Sequence, residues 1–498
     1  MTMSSHRPNR TPRCLTLLAA SLLALPLGAQ GTPVRPTAAP ARGPATLSAH
    51  QRLAREVYQQ LVETNTADSV GSTTKAAEMM AARFRAAGFP AADVQVLIPA
   101  AHPARGNLVV RYRGHSSANA AKPVLLLAHI DVVAANRSEW PRDPFTLHEE
   151  NGFFLGRGTS DDKAMAAMFV ANLLDYKAQG WIPDRDLILA LTADEEGGEA
   201  NGVQYLIDNH RPLIDAAYAI NEGGGGTLDG DRPIFHSIQA AEKVYVDFTL
   251  TTTNPGGHSS VPRPDNAIYS LAEALGKLSH FRFPVALNEI SRSFFAQTSL
   301  AEPRAEMAAA MRVLGRNAKD SSAIATLSKD PRYASMLRTT CVATRLAGGH
   351  ANNALPQTAT ANVNCRIVPT SSAEEVLATL VRAIGDTGVK VERRATEIAE
   401  RFGAPPSPID PQLLATTTAL TKKMWGNIPV IPTMGTGATD GRLLRAAGIP
   451  TYGVSGIFSV PGETNAHGRD EKLRVKSFYE GLEFLDQLVR QVATAPRT

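Results

Sequence analysis

Five stretches of this sequence carry residues of the kinds that bind divalent ions or move protons. They are His129-Ile-Asp131, Asp161-Asp162-Lys163, Asp194-Glu195-Glu196, Asn221-Glu222 and His467, each at the end of an apolar run or beside glycine. Two imidazoles among several carboxylates suit zinc or a similar borderline divalent ion, whereas an all-oxygen set would suit Mg2+ or Ca2+. A single catalytic ion needs only three protein ligands, so His129, Asp161, Glu196, Glu222 and His467 together point to two ions. One carboxylate must then bridge, and a helix-opening Asp from the glycine turn is well placed to do so. Glu195 and Glu196 are neighbours that point in different directions, so one can bind metal while the other takes a proton from an activated water. Asp131 is a carboxylate that can orient His129. No nucleophile of the Ser-His or Cys-His kind competes: Gly-x-Ser-x-Gly is absent and no cysteine sits in a nucleophile-type turn.

These residues need strands to carry them. Val124-Leu-Leu-Leu-Ala, bounded by Lys122-Pro123, reads as a strand buried on both faces, the mark of the interior of a helix-covered parallel sheet. Side chains alternate along it, so His129 and Asp131 leave its carboxyl edge on one side, where open α/β sheets place their ligands. Leu187–Thr192 and Ala216–Ile220 repeat the pattern of apolar strand, acid and glycine. Gly156-Arg-Gly158 opens a helix bearing Met165, Met168, Phe169 and Leu173. It lacks the spacing of a dinucleotide fingerprint, and its two acids would repel a pyrophosphate. Helices are expected around Leu53–Leu61 and from about Thr74 to Gly88, and short strands at Val94–Ile98 and Asn107–Tyr112. Near residue 240 the pattern changes to the alternation of a half-exposed antiparallel strand, Val244–Leu250. Strand, helix, strand, strand, helix, strand then follow to about Glu392, an α+β sandwich. Its partly helical stretch 285–335 has no assignable role. The buried-strand pattern resumes at Val430, followed by a helix opening at Asp440, a strand at Thr451 and a closing helix from about Glu471 to Val492.

The expected architecture is therefore an α/β catalytic domain, its mostly parallel central sheet covered by helices on both faces, interrupted by an inserted α+β lid or dimerisation domain. The divisions are 48–239 and 397–498 for the catalytic domain and 240–396 for the insertion. Residues 1–29 read as a cleaved signal peptide: a basic start, an apolar run from Cys14 to Leu25 too short to span a bilayer, and the small residues Gly28 and Ala29. Residues 30–47, rich in Pro, Ala, Arg and Gly, read as an unstructured lead-in. The formal net charge of +4 includes Arg7, Arg10 and Arg13, leaving the mature chain near +1, a balance that asks for neither nucleic acid nor an anionic membrane. A soluble, exported protein is expected, periplasmic in a Gram-negative cell. Beyond Cys14 the cysteines are Cys341 and Cys365, in two β-patterned runs; a disulfide and two buried free thiols both remain open.

The motifs Ala128-His129-Ile-Asp131-Val-Val, Gly156-Arg-Gly-Thr-Ser-Asp161-Asp-Lys163, Asp194-Glu195-Glu196-Gly, Asn221-Glu222-Gly, Gly257-His258-Ser, Asn353-Ala-Leu-Pro356, Asn364-Cys-Arg366-Ile-Val-Pro369 and His467 resemble, in order, those of the M20 metallopeptidases. That family includes glutamate carboxypeptidase, succinyl-diaminopimelate desuccinylase, aminoacylase and carnosinase. Asp440-Gly-Arg-Leu-Leu-Arg is most similar to the carboxypeptidase S and N-acyl-amino-acid hydrolase branch. The resemblance implies two Zn2+ ions, with Co2+ or Mn2+ as substitutes: His129 and Glu222 on one, Glu196 and His467 on the other, Asp161 bridging. It implies Asp131 behind His129, Glu195 as general base, His258 as oxyanion donor reaching a partner subunit's site in a homodimer formed through the inserted domain, and Asn353 and Arg366 on the substrate carboxylate. Asn221 departs from the Asp common in relatives, while Glu222 keeps the ligand. The expected activity is hydrolysis of a peptide or N-acyl bond beside a free carboxylate by a metal-activated water. A dedicated N-acyl-amino-acid deacylase is the second reading, and a metal-retaining binding protein the third, disfavoured by the presence of Glu195.

Overall fold

The computed structural model describes residues 46–115, 121–394 and 403–494; the expected signal segment, the lead-in up to residue 45 and the expected division at 397 lie outside these. Among the described residues the apolar run Val124–His129 is buried along its whole length inside a ten-stranded sheet. Its neighbours Leu187–Thr192 and Tyr218–Asn221 both run parallel to it, with His129 opposite Thr192 and Leu126 opposite Ile220. Thr451–Gly453 extends the parallel run beyond Tyr218–Asn221. Antiparallel strands sit outside: Asn107–Tyr112 and Val94–Leu97 toward one edge, Arg232–Glu242 and Gly226–Asp229 toward the other.

Alternation divides each central strand between two cores. Val124, Leu126, Leu187, Leu189 and Leu191 pack with the helices Ala49–Val62, Thr73–Ala86, Lys163–Ala178 and Val475–Ala493. Leu125, Leu127, Ile188 and Ala190 pack with Gly202–Ile214 and Gly441–Ala446. Helices on both faces are the reason these runs are apolar without interruption. The helix Lys163–Ala178 shows no amphipathic stripe for a similar reason: it lies between the sheet and the first and last helices and is buried nearly all round.

The chain changes sheets at Lys243, where the large-sheet strand Arg232–Glu242 ends and Val244–Thr253 of a four-stranded antiparallel sheet begins; the expected division at 240 falls inside the first of these strands. The small sheet runs in the order Thr340–Gly348, Thr358–Ile367, Val244–Thr253, Val389–Arg394. Its Val246, Phe248 and Leu250 pack against the helices Ala267–His280 and Ala373–Ile384, the latter started by a Ser372–Glu375 capping box. Cys341 and Cys365 stand directly opposite each other in this sheet and are joined by a disulfide. Two segments differ from expectation. The stretch 285–335 holds four helices between Glu289 and Leu337, and their core of Phe295, Met311, Leu314 and Leu327 closes on Ile431 of the large sheet, so this part of the insertion packs on the catalytic layer. The closing helix starts at Val475, because Lys472–Arg474 pairs as a strand with Phe153–Leu155. Among the described residues no helix is long and apolar enough to cross a membrane.

Candidate active site

Three adjacent parallel strands bring their carboxyl ends to one place. His129 ends one, Asp194-Glu195-Glu196 follows Thr192 on the next, and Glu222 follows Asn221 on the third. Asp161 and the helix N-cap Asp162, linked by a cis peptide, enter from the glycine turn, and His467 from a loop where its own φ is 63°. His129 Nε2 lies 3.0 Å from Asp161 Oδ1 and 3.8 Å from Glu222 Oε1. His467 Nε2 lies 3.2 Å from Asp161 Oδ2 and 2.9 Å from Glu196 Oε2. Asp161 thus turns one oxygen to each imidazole. On the far side of the first ring, His129 Nδ1 faces the Asp131 carbonyl oxygen at 3.2 Å and its carboxylate at 3.5 Å, while the other Asp131 oxygen accepts the Glu196 N–H at 3.0 Å. One residue therefore orients two of the converging groups.

The electrostatics are those of a site short of positive charge. Burial, followed by repulsion from Asp161, holds the Glu222 carboxyl well above its ordinary range, and burial likewise raises Glu195 and Glu196. Burial would raise Asp161 too, but His129 and His467 outweigh it and pull the group down. Hydrogen bonds to Asp161 and Glu196 push the His467 imidazole up to about 10. Burial opposes charge on His129, yet Asp131 and Asp161 prevail and keep its proton affinity high. Buried acids in this number stay ionised only beside cations. Two sets, His129 with Glu195 and Glu222 and His129 with Asp161 and Glu196, bring ligand atoms within 4.8 Å of one another, so nitrogen and oxygen donors converge as divalent ions require. The residues present fit such ions by donor type, by convergence and by their excess negative charge.

Several supporting residues escape a local reading of the sequence. Glu471, buried, accepts the N–H groups of Gly158, Ser160 and Asp161 at 2.9, 2.8 and 3.0 Å, and pairs with buried Arg157 at 2.7 Å. Arg157 also donates to the carbonyls of His467 and Gly468, which ties the Asp161 turn to the His467 loop. Arg442 Nη1 stands 3.7 Å from Glu195 Oε1. Two residues earlier, buried Asp440 accepts from Thr192 Oγ1 and Asn201 Nδ2, and burial raises it to about 6. Glu242 accepts the Thr439 N–H and pairs with Arg445, which fixes that turn. The apolar strand ends advertise the converging acids and His129, whereas only Asp440 among these supports carries a visible cue, as an acid opening a helix.

The structure does not bring every candidate to the cluster. His258 is exposed on the two-stranded ribbon Gly257–His258 with Ala354–Leu355, its ring 2.7 Å from Ser260 Oγ. Asn353 is exposed beside it and accepts the Ser259 N–H through its carbonyl. Arg366 lies closer in: its guanidinium covers the Tyr245 ring at 4.8 Å, and burial, opposed by Tyr245 and Glu195 among nearby groups, lowers its proton affinity.

Comparison with known proteins matches residues 125–491 to the model of peptidase family M20/M25/M40. The probable carboxypeptidase S-like 2 of Dictyostelium discoideum is 28% identical over 412 residues, covering 77% of this chain and 74% of the relative. The N-fatty-acyl-amino acid synthase/hydrolase PM20D1 of Xenopus tropicalis is 27% identical over 384 residues, covering 75% and 73%. Among solved structures, the M20 family metallo-carboxypeptidase Sso-CP2 of Sulfolobus solfataricus superposes with a TM-score of 0.66 at 18% identity, over 88% of this chain and 99% of the other, a likeness of fold.

Proposed function

Because the chain belongs to peptidase family M20/M25/M40, and so to the metallopeptidases and amidohydrolases, we propose that it is an exported, dinuclear zinc amidohydrolase that cleaves a peptide or N-acyl bond beside a free carboxylate. The observation that carries this reading is Asp161, which turns its two oxygens to two imidazoles, with Glu222 flanking one and Glu196 the other. In this reading His129 and Glu222 hold one ion, Glu196 and His467 the second, and Asp161 both. Asp131 keeps the His129 Nδ1 proton in place and so presents Nε2 to the site. When bound, the ions supply a nucleophilic water at neutral pH and polarise the scissile carbonyl. Glu195 accepts a proton from the water on a carboxylate oxygen and returns it to the leaving nitrogen; the burial that raises its proton affinity suits that exchange. Arg366 and Asn353 hold the substrate carboxylate, and His258 donates to the oxyanion from the inserted domain.

A panel of N-terminally blocked dipeptides and N-acyl amino acids, turned over by zinc-loaded protein alongside metal analysis, tests the reading. Turnover of blocked dipeptides with about two ions per chain supports it. Turnover of acyl substrates alone selects the dedicated deacylase, which the name of the Xenopus relative favours. No amide hydrolysis by protein carrying both ions ends both. The Cys341–Cys365 disulfide supports export, since such bonds persist in oxidising compartments; N-terminal sequencing of protein recovered outside the cytoplasm tests it. The edge strand Thr340–Gly348, with Val342 and Leu346 exposed, supports a homodimer through the inserted domain, tested by sedimentation.

A further inference from the structure

On the helix-covered side of the small sheet, away from the acid cluster in sequence and chemistry, lies a cavity of about 430 Å³. That volume falls within the roughly 300–1,000 Å³ usual for ligand pockets. Leu275, Leu278, Phe281, Phe283, Val363 and Leu380 give it an apolar wall. Its polar wall is formed by Arg282 and Arg338, with Thr339 and Thr340 beside them. Both guanidiniums lack a carboxylate partner among the described residues. Arg282 donates to the Ser279 and Phe281 carbonyls, which caps the helix Ala267–His280 but leaves its charge unmatched. Arg338 donates to Ser328 Oγ at 3.3 Å, while its Nε is buried with no acceptor.

The charge around this wall is one-sided. Burial first, and then repulsion from Arg282, lowers the proton affinity of Arg338. Lys243, where the chain passes between the sheets, donates to Thr340 Oγ1; burial, with Arg366 and Arg338 nearby, brings it down to about 7. Arg338, partly buried beside an apolar chamber with exposed Arg282 next to it, gains from an anion that joins the pair. A free phosphate would satisfy the guanidiniums but leave the apolar wall empty, and a neutral lipid would do the reverse.

We propose that this cavity binds a single-chain carboxylate amphiphile, a fatty acid, with its head on Arg282 and Arg338 and its tail along Leu275, Leu278, Phe281 and Phe283. The inference does not depend on the reaction at the acid cluster. A carboxylate between two guanidiniums accepts charge-assisted hydrogen bonds, and each buried methylene adds apolar contact. Chain length should therefore raise affinity, and removal of the head charge should lower it.

The experiment is calorimetric titration of dodecanoate into zinc-loaded, full-length mature protein, with octanoate, dodecan-1-ol and dodecyltrimethylammonium as comparison ligands. One saturable dodecanoate site is expected, weaker for octanoate and weaker by roughly tenfold or more for the two ligands without a carboxylate, the scale of losing a charge-assisted contact. Arg282→Met, at an exposed position that tolerates change, and Arg338→Met should each weaken dodecanoate by about tenfold while kcat/KM for a blocked dipeptide stays unchanged. Ala343→Phe, on the exposed edge of the cavity, should weaken dodecanoate more than octanoate. His467→Ala should leave dodecanoate binding intact, which separates this site from product binding at the acid cluster. Wild-type affinity in both arginine variants, equal binding of dodecan-1-ol, loss of binding only in His467→Ala, or attachment to phosphatidylglycerol vesicles without binding of monomeric dodecanoate would each overturn the proposal.

Discussion

Replacing Glu471 with Gln removes one negative charge and almost no volume, at a position far in sequence from every proposed ligand except His467. The Glu471 carboxylate accepts three backbone N–H groups, the Ser160 hydroxyl at 3.0 Å and the Arg157 guanidinium. An amide in its place offers one acceptor oxygen, and its NH2 group must confront donors. Arg157, 3% exposed, keeps the Gly468 carbonyl and the face of Trp140, so its charge is not wholly stranded. Removing one partner of a buried pair costs roughly 3–5 kcal/mol, and these remaining contacts put the expected loss near the lower end, about 3 kcal/mol. The Gly158–Asp161 turn and the His467 loop meet through this pair, so metal affinity should also fall by roughly 10–100-fold, as when groups that orient ligands are lost. Denaturant unfolding of the metal-free protein reads the first effect, and chelator competition the second. A cycle with Arg157→Met should show coupling of about 1 kcal/mol or more between the two positions. A Glu471→Gln protein with wild-type metal affinity and an unfolding free energy within about 0.5 kcal/mol of the parent would refute the reasoning, as would strict additivity in the cycle.

Other substitutions probe the division of labour at the acid cluster. Glu195→Gln should retain both ions and lose roughly 10²–10⁴ in kcat, whereas Glu196→Gln should weaken metal binding; normal metal content and equal rates in both would undo the assignment. His258→Ala should lower kcat by roughly 10²–10³ with unchanged zinc content, and mixing it with Glu195→Gln subunits should restore part of the activity if the donor acts across a dimer. Exhaustive chelation should abolish activity and zinc restore it; a fully active chelated protein would end the metal reading. His236, buried against Thr421, is pushed down by burial from 6.5 to about 3, so between those values the unfolded chain binds a proton that the folded chain refuses. Its contribution is intact above pH 6.5 and is lost as pH falls toward 3, by up to roughly 5 kcal/mol, so His236→Gln should flatten the acid limb of the stability profile; an identical limb in both proteins would contradict this.

The central sheet was legible because each of its parallel strands is apolar on both faces, a property written in consecutive residues such as Leu125 and Leu126, which go to opposite cores. The six side chains that converge at the acid cluster were legible for a related reason. His129, Asp161, Glu195, Glu196 and Glu222 each stand where an apolar run or a glycine turn ends, so a single element both carries the residue and announces it, while His467 stands in a loop beside Gly468. The Val244–Leu250 alternation was equally local and marked the change to a sheet with one covered face. The segment 285–335 was not legible, because its amphipathic helices could have packed on either sheet, and Phe235 and Ile431 of the large sheet, both distant in sequence, decide which.

Glu471 shows where local reading stops. Arg469-Asp470-Glu471-Lys472 looks like a solvated charge run and the start of a helix, and in isolation it would be one. Burial of a carboxylate is decided by its partners, and those of Glu471 are three N–H groups and an arginine some 310 residues earlier in the chain. The glycine turn that delivers Asp161 leaves those N–H groups pointing inward, unpaired by any strand or helix of their own. A buried anion must meet them, since each unpaired donor would cost roughly 1–3 kcal/mol. The same turn that presents Asp161 on one side therefore demands a carboxylate on the other. That demand holds Lys472–Arg474 as a strand against Phe153–Leu155 and delays the closing helix to Val475. The loop before it, with His467, is then held beside Asp161 through the two carbonyls that Arg157 also grips.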